Sequence, residues 1–201
     1  MEDMSLCMKN KSHNLSEIEK AYILFYWFHL NIEYDADGYF KGGGIWQPDL
    51  VYKYGKGICS GYSKLYIYFG KAIGINVDSI SGYAKGYGWN KDHEPNISHQ
   101  WNYIIIKNVY YLFDVTWGSG CFKNNKYEKR LDAIHFLPSP RNYLFTYLPS
   151  YSKFQLVENP ITLDEFRYSI KVPDSLLTIG FFPNIIRSNC TVNNKEKFII
   201  N

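Results

Sequence analysis

The chain has 201 residues, 46% of them hydrophobic and 20% charged, which excludes wholesale disorder and sets the scale at one domain, or one domain with a small appendage. The net charge is +3, from 22 basic and 19 acidic residues with no run of five like charges. Neither a nucleic-acid footprint nor a patch for an anionic membrane is present, and no apolar run is long enough for a transmembrane helix.

Met1 to Lys11 is polar, mixed in charge and without the apolar stretch of a secretory signal, so a cytoplasmic location is expected. Cys7, Cys59, Cys121 and Cys190 are widely spaced and form no CxxC pair. Free thiols in a reducing compartment fit this better than a zinc site or a disulfide framework.

Asn14, with Glu17 three residues on, reads as a capping box. Behind it Ile18, Ala21, Tyr22, Phe25, Phe28 and His29 keep helical spacing to about Tyr34. The glycine-rich stretch 35–49 reads as a loop, and Leu50 to Tyr54 as a helical turn. In 55–75, Tyr62, Leu65, Tyr66, Phe69, Ala72 and Ile73 share one helical face, with Gly74 suited to its end. This puts Cys59 at or just before the first turn of a buried helix. Val77 to Ala84 alternates as a strand, 85–98 is a polar loop, and the runs 98–106 and 110–117 read as a hairpin turning at Lys107-Asn108. Beyond Trp117 comes a polar stretch, then aromatic segments punctuated by proline, then short β-prone runs from 169 to 201. The expected organisation is a polar tail over 1–14, a core over 15–134, an extension of it over 135–168, and an appended segment over 169–201.

A lone cysteine is most often a small buried residue. Cys59 differs in its setting. Gly55, Gly57 and Gly61 allow close backbone approach, and the helix that follows aims its N-terminal amides at the sulfur, which favours thiolate. A nucleophilic thiol needs a base, and the base needs an orienting group. Of the five histidines, His13, His29, His93 and His135 read as solvated or structural. His99 is distinguished by its place in the hairpin. A two-residue turn makes opposed residue numbers sum to an odd value, so His99 opposes Thr116 and Trp101 opposes Asp114. Asp114 and His99 then share a face as diagonal neighbours. A three-residue turn would separate them. Asp114 also interrupts YYLFDVTW, a run otherwise fit for burial, and a carboxylate there is explained if it accepts a hydrogen bond from an imidazole.

GKGICSGYSKLY, SGYAKGYGW, SHQWNY and YYLFDVTWGSG, in this order, resemble the transglutaminase-like superfamily, and more closely its kyphoscoliosis-peptidase branch. WFHLNIEYD resembles the helix that opens that domain, and HFLPSPRNYLF and FQLVENPITLDEF resemble segments that follow its core. The resemblance covers roughly residues 15 to 168. It departs from the family at Phe154, where a tryptophan is usual, and around Pro138 to Asn142. It implies an α+β fold with a papain-like core, in which the Cys-bearing helix packs on an antiparallel β-sheet. By motif it implies that Cys59 is the nucleophile, His99 its base and Asp114 the orienting acid.

Acyl transfer also needs an oxyanion hole. The backbone N–H of Cys59 is one candidate donor. Trp46 and Gln47, just before Pro48, are candidates for the second, with Gln47 preferred. Trp101, Trp117, Trp89, Tyr62 and Tyr83 either wall a cleft or pack in the core, and 82–88 is either a lid or an ordinary loop. The function expected is a thiol-dependent acyl-transfer enzyme acting on protein amide bonds, most simply a peptidase. A protein-crosslinking transglutaminase and a cytoskeletal or cytokinesis-type interaction scaffold are the alternatives. The expected partner is a protein, as substrate or as binding partner, and no cofactor or metal is expected.

Overall fold

The computed structural model describes residues 1–123, 126–173 and 176. In chain order the helices are α1 (Glu2–Ser12), α2 (Glu17–Asn31), α3 (Ala36–Phe40), α4 (Pro48–Tyr54), α5 (Cys59–Ala72), α6 (Val115–Ser119), α7 (Pro140–Tyr143) and α8 (Leu163–Tyr168). The strands are β1 (Glu33–Tyr34), β2 (Lys56–Gly57), β3 (Val77–Ala84), β4 (His99–Ile106), β5 (Val109–Phe113), β6 (Gly120–Lys123), β7 (Lys126–Lys129) and β8 (Tyr147–Pro149). A four-stranded antiparallel sheet, in the order β5-β4-β3-β8, forms the centre. With α5 packed on it, this is the α+β arrangement expected of a papain-like, transglutaminase-like core.

The helix pair α2 and α5 covers one face of the sheet. The α2 stripe of Ala21, Leu24, Phe25 and Phe28 meets Tyr62, Leu65, Tyr66 and Phe69 of α5, and Ile104, Ile106 and Phe113 close the same core from below. The hydroxyl of Tyr66, buried among rings, donates to Ala21 O at 2.6 Å, so the phenol costs little inside this cluster. A second cluster, built on Ile80, Trp101, Leu112, Tyr143 and Tyr147, includes residues of the sheet and of the segment after it.

Several sequence expectations shift. The capping box sits at Ser16 and Glu19 rather than Asn14 and Glu17: Ser16 Oγ accepts from Glu19 N, and Glu19 Oε2 accepts from Ser16 N at 2.8 Å. The polar stretch at the start is not an extended tail. It forms α1, and Met1, Met4 and Met8 pack against the main core. The stretch 35–49 is a loop only in part, holding α3 and the start of α4. The run 110–117 leaves the sheet after Phe113, and 115–119 is helical. Of 82–88, only the part beyond Ala84 is a loop. Gly82 to Ala84 pair with β8, and Lys85 N–H donates to Thr146 O at 2.9 Å. The β-prone runs expected at the end of the chain fall almost wholly outside the described residues. Among the described residues no helix is long and apolar enough to cross a membrane, and no cluster of three His, Cys, Asp or Glu side chains is arranged to hold a metal ion. Cys7, Cys59 and Cys121 are free thiols, and Cys190 lies outside the described residues.

Candidate active site

Cys59 opens α5, with Ile58 as its N-cap residue. Gly61 and Tyr62 donate their N–H groups to Ile58 O. Among the described residues the N–H groups of Cys59 and Ser60 have no acceptor, as expected of a first helical turn. The turn is held against the preceding loop by close backbone contact. A Cβ on Gly61 would come within 2.7 Å of Ile45 O and 3.1 Å of Trp46 Cα, so only glycine lets the two segments approach this closely.

His99 opens β4 and is paired with Gly82 of β3. The hairpin beyond it turns through Lys107 and Asn108, both in the left-handed region at φ 50° and 64°, and Ile106 faces Val109. This is the two-residue turn that the odd-sum register requires. The ladder runs back to Asn102 opposite Phe113. There the chain departs. Asp114 N–H donates to His135 O rather than to β4, and Asp114 becomes the N-cap of α6, its Oδ1 accepting from Thr116 N at 2.8 Å and Trp117 N at 3.2 Å. The carboxylate is therefore fixed by helix capping and not by strand alternation. Its Oδ2 still reaches His99 Nε2 at 2.6 Å, with both side chains buried.

With Nε2 engaged by Asp114, Nδ1 is the ring nitrogen left for the thiol. Burial pushes the Cys59 thiol up, but the hydrogen bond and positive charge of His99, with a backbone hydrogen bond from Gln100, outweigh it and hold the thiol below its usual value. Burial works to lower His99, while the charge and hydrogen bond of Asp114 and the contact with Cys59 raise it to about 10. Asp114, although burial would raise it, is held below the usual carboxylate range by His99, by the nearby His135 and by Tyr147. The three directions agree. Together they favour thiolate beside imidazolium over an isolated thiol, with an ionised carboxylate behind.

Two residues around Asp114 were not singled out from the sequence. Tyr147, on β8, donates its hydroxyl to Asp114 Oδ2 at 2.8 Å. With its proton committed there, the hydroxyl oxygen accepts from His135 Nδ1 at 3.0 Å. Asp114 thus accepts four hydrogen bonds, from His99, Tyr147, Thr116 and Trp117. Trp117 also stacks on the imidazole of His99, with ring centres 4.8 Å apart and planes 27° from parallel. Of the other aromatic candidates, Tyr62 and Trp101 are fully buried, and Tyr83 and Trp89 pack beside Phe166 and Leu148.

Trp46 and Gln47 lie in the loop that abuts the first turn of α5. Trp46 is 45% exposed, and the Lys64 ammonium sits 3.9 Å above its ring. Gln47 is the N-cap residue of α4, and its side chain makes no capping hydrogen bond. Neither makes a hydrogen bond to Cys59 among the described residues.

The profile of the Transglutaminase-like superfamily matches residues 7–115. Kyphoscoliosis peptidase of Mus musculus is 26% identical over an alignment of 160 positions that covers 77% of this chain and 24% of that protein. Hillarin of Drosophila melanogaster is 26% identical over an alignment of 170 positions that covers 75% of this chain and 20% of that protein. The chain thus spans about a quarter of the length of the curated relatives it matches. Among solved structures, that of a TGase aligns with 17% identity and a TM-score of 0.44, over 67% of this chain and 36% of the other. The profile match takes in Cys59, His99 and Asp114 and more than half of the chain. The chain belongs to the transglutaminase-like superfamily, and the curated relatives it resembles include those of the kyphoscoliosis-peptidase branch.

Proposed function

We propose that this protein is a thiol peptidase that cleaves amide bonds in protein substrates, with Cys59 as nucleophile, His99 as proton carrier and Asp114 as the group that orients the ring. The observation that carries the reading is the unbroken line from thiol to imidazole to a carboxylate with four donors around it. Membership of the transglutaminase-like superfamily supports a thiol-dependent enzyme, and the peptidase step goes beyond it.

The Cys59 thiolate attacks the carbonyl carbon of the scissile amide, and the carbonyl oxygen takes up the negative charge. The N–H of Cys59 points from the start of α5 and supplies one donor to that oxygen. The side chain of Gln47, next to the loop packed on Gly61, is our candidate for the second, with Trp46 the rival. As the tetrahedral intermediate collapses, His99 gives its proton to the departing amine and a thioester remains on Cys59. His99 then takes a proton from water, the hydroxide attacks the thioester, and the acid product leaves with the thiolate restored. Asp114 keeps the Nε2 side of the ring occupied throughout, so that Nδ1 faces the chemistry.

Incubation with a denatured protein and a primary-amine tracer tests this. New N-termini that depend on Cys59 are the expected product. Incorporation of the amine without cleavage would replace the peptidase with a transferase. Neither product, with Cys59 no more reactive than Cys7, would replace enzyme with scaffold.

A further inference from the structure

A cavity of about 350 Å³ opens beside His99, and its walls include Ser98 and His99 but not Cys59. One side is aromatic. Tyr34 meets Tyr39 at 5.9 Å and Phe122 edge-on at 5.5 Å, and Tyr87 meets Phe122 at 5.4 Å. These rings are not sealed into a core, since Tyr87 is 57% exposed and Tyr39 43%. Trp117 forms the wall next to His99 and is approached so closely by Gly86 that a Cβ there would lie 2.7 Å from the indole. Open rings on a concave wall beside a reactive group are the ordinary makings of a ligand site.

Charge makes the cavity more selective than its rings do. Among the described residues that line it are Lys85, Arg130 and Lys171, and there is no Asp or Glu. Arg130 is paired with Asp132 at 2.8 Å. Lys85 Nζ donates to Ser169 O at 2.8 Å and Ser169 Oγ at 2.7 Å and lies 4.5 Å above the ring of Phe166, which is not part of the cavity wall, whereas Lys171 Nζ reaches only Gly86 O, at 3.2 Å, among the described residues. Lys85 is 1% exposed, and burial, with Lys171 close by, lowers its pKa to about 8. Lys85 is thus a buried, satisfied cation that adds positive charge to the wall, and the exposed Lys171, with no carboxylate partner among the described residues, is the cation open to an arriving anion.

We propose that this cavity is a specificity pocket that takes an aromatic side chain of a peptide substrate against Tyr87 and Phe122, with the carboxylate of an adjacent Asp or Glu directed to Lys171. The inference rests on the reading of Cys59 and His99 as a peptide-cleaving site, because it supplies that site with a substrate class. Rings that present edges and faces in turn suit an aromatic guest. They would also attract a cation, but the two lysines oppose one.

Binding to the Cys59→Ala variant tests the pocket without any turnover. Three fluorescein-labelled peptides serve as probes, Ala-Ala-Phe-Glu-Ala-Ala, its Phe-Lys counterpart and its Ala-Glu counterpart, with affinity read by anisotropy. The Phe-Glu peptide should bind about tenfold more tightly than either of the others. Lys171 is exposed, so Lys171→Glu should fold normally and make Phe-Lys the preferred peptide. Equal affinity for all three, or a preference for Phe-Lys before Lys171 is changed, overturns the proposal. The outcome is independent of whether the protein with Cys59 intact cleaves anything, so a failed pocket and a failed peptidase reading remain distinguishable.

Discussion

The phenol of Tyr147 and the carboxylate of Asp114 are 2.8 Å apart, although they lie 33 residues apart in the chain and on different elements. The same oxygen that meets His99 also receives this hydroxyl. The β8 strand, which pairs with β3 and not with the strand that carries His99, thereby fixes the carboxylate from the far side of the sheet. Tyr147→Phe removes the hydroxyl and keeps the ring that stacks on Tyr143 at 4.1 Å. The fold should survive. A lost hydrogen bond to a carboxylate is worth about 1.5–3 kcal/mol, so kcat/KM should fall about tenfold or more, with the alkaline limb of the pH profile displaced. Unchanged kinetics would show that Tyr147 plays no part in catalysis.

Asp114→Asn should be far more damaging. An amide can hold the ring but selects the wrong tautomer and does not stabilise imidazolium, so turnover should drop by roughly 10³–10⁴. Cys59 should remain open to alkylation and the circular dichroism spectrum should be native. Undiminished turnover would show that the buried carboxylate serves the fold alone.

The pH dependence follows from the paired shifts. Attack needs thiolate, present above a thiol pKa that lies below its usual range. Protonation of the leaving amine needs imidazolium, present below about 10. Activity should therefore extend further toward acid than an unassisted thiol allows, and fail on the alkaline side near pH 10. Stability carries matching signatures. The raised His99 contributes stability that is complete below the unfolded-state value near 6.5 and is lost as pH rises through about 10. The depressed Asp114 contributes stability above its unfolded value, lost as pH falls. Thermal midpoints across pH, compared with His99→Gln, would show both edges. A pH-independent difference would contradict the coupling.

Gln47→Ala tests the second oxyanion donor. Removal of such a donor costs about 10²–10³ in kcat with little change in KM, whereas Trp46→Ala should then have a minor effect. The reverse pattern would assign the role to Trp46.

Much of this arrangement is legible in the sequence because it rests on local signals. The β3 strand spans Val77–Ala84, the run expected from the sequence, and from Ile80 on its buried residues alternate. The Lys107-Asn108 turn sets a register that brings His99 and Asp114 to one place. Cys59 begins its helix because a helical apolar face starts just after it. What misleads is the apolar run around Asp114. YYLFDVTW satisfies strand propensity throughout, yet the Asp114 side chain caps its own downstream amides and turns the chain into α6. The capping box is misread by two residues because Asn14 with Glu17 and Ser16 with Glu19 have the same spacing, and composition does not choose between them. Met1, Met4 and Met8 carry the spacing of a helix that docks, a signal outweighed by the polar residues between them. Tyr147 and His135 could not be found locally. Their roles depend on β8 joining the far edge of β3, a long-range pairing with no mark in HFLPSPRNYLFTYLP.

If His99 activates Cys59, the reactivity of the thiol reports it directly. Iodoacetamide labelling at pH 6, followed residue by residue by mass spectrometry, should modify Cys59 well ahead of the exposed Cys7 and of Cys121, because His99 favours the thiolate of Cys59. His99→Ala should bring Cys59 down to the rate of the others or below. If Cys59 labels no faster than Cys7, or keeps its rate without His99, the thiolate–imidazolium pair is not what this site contains.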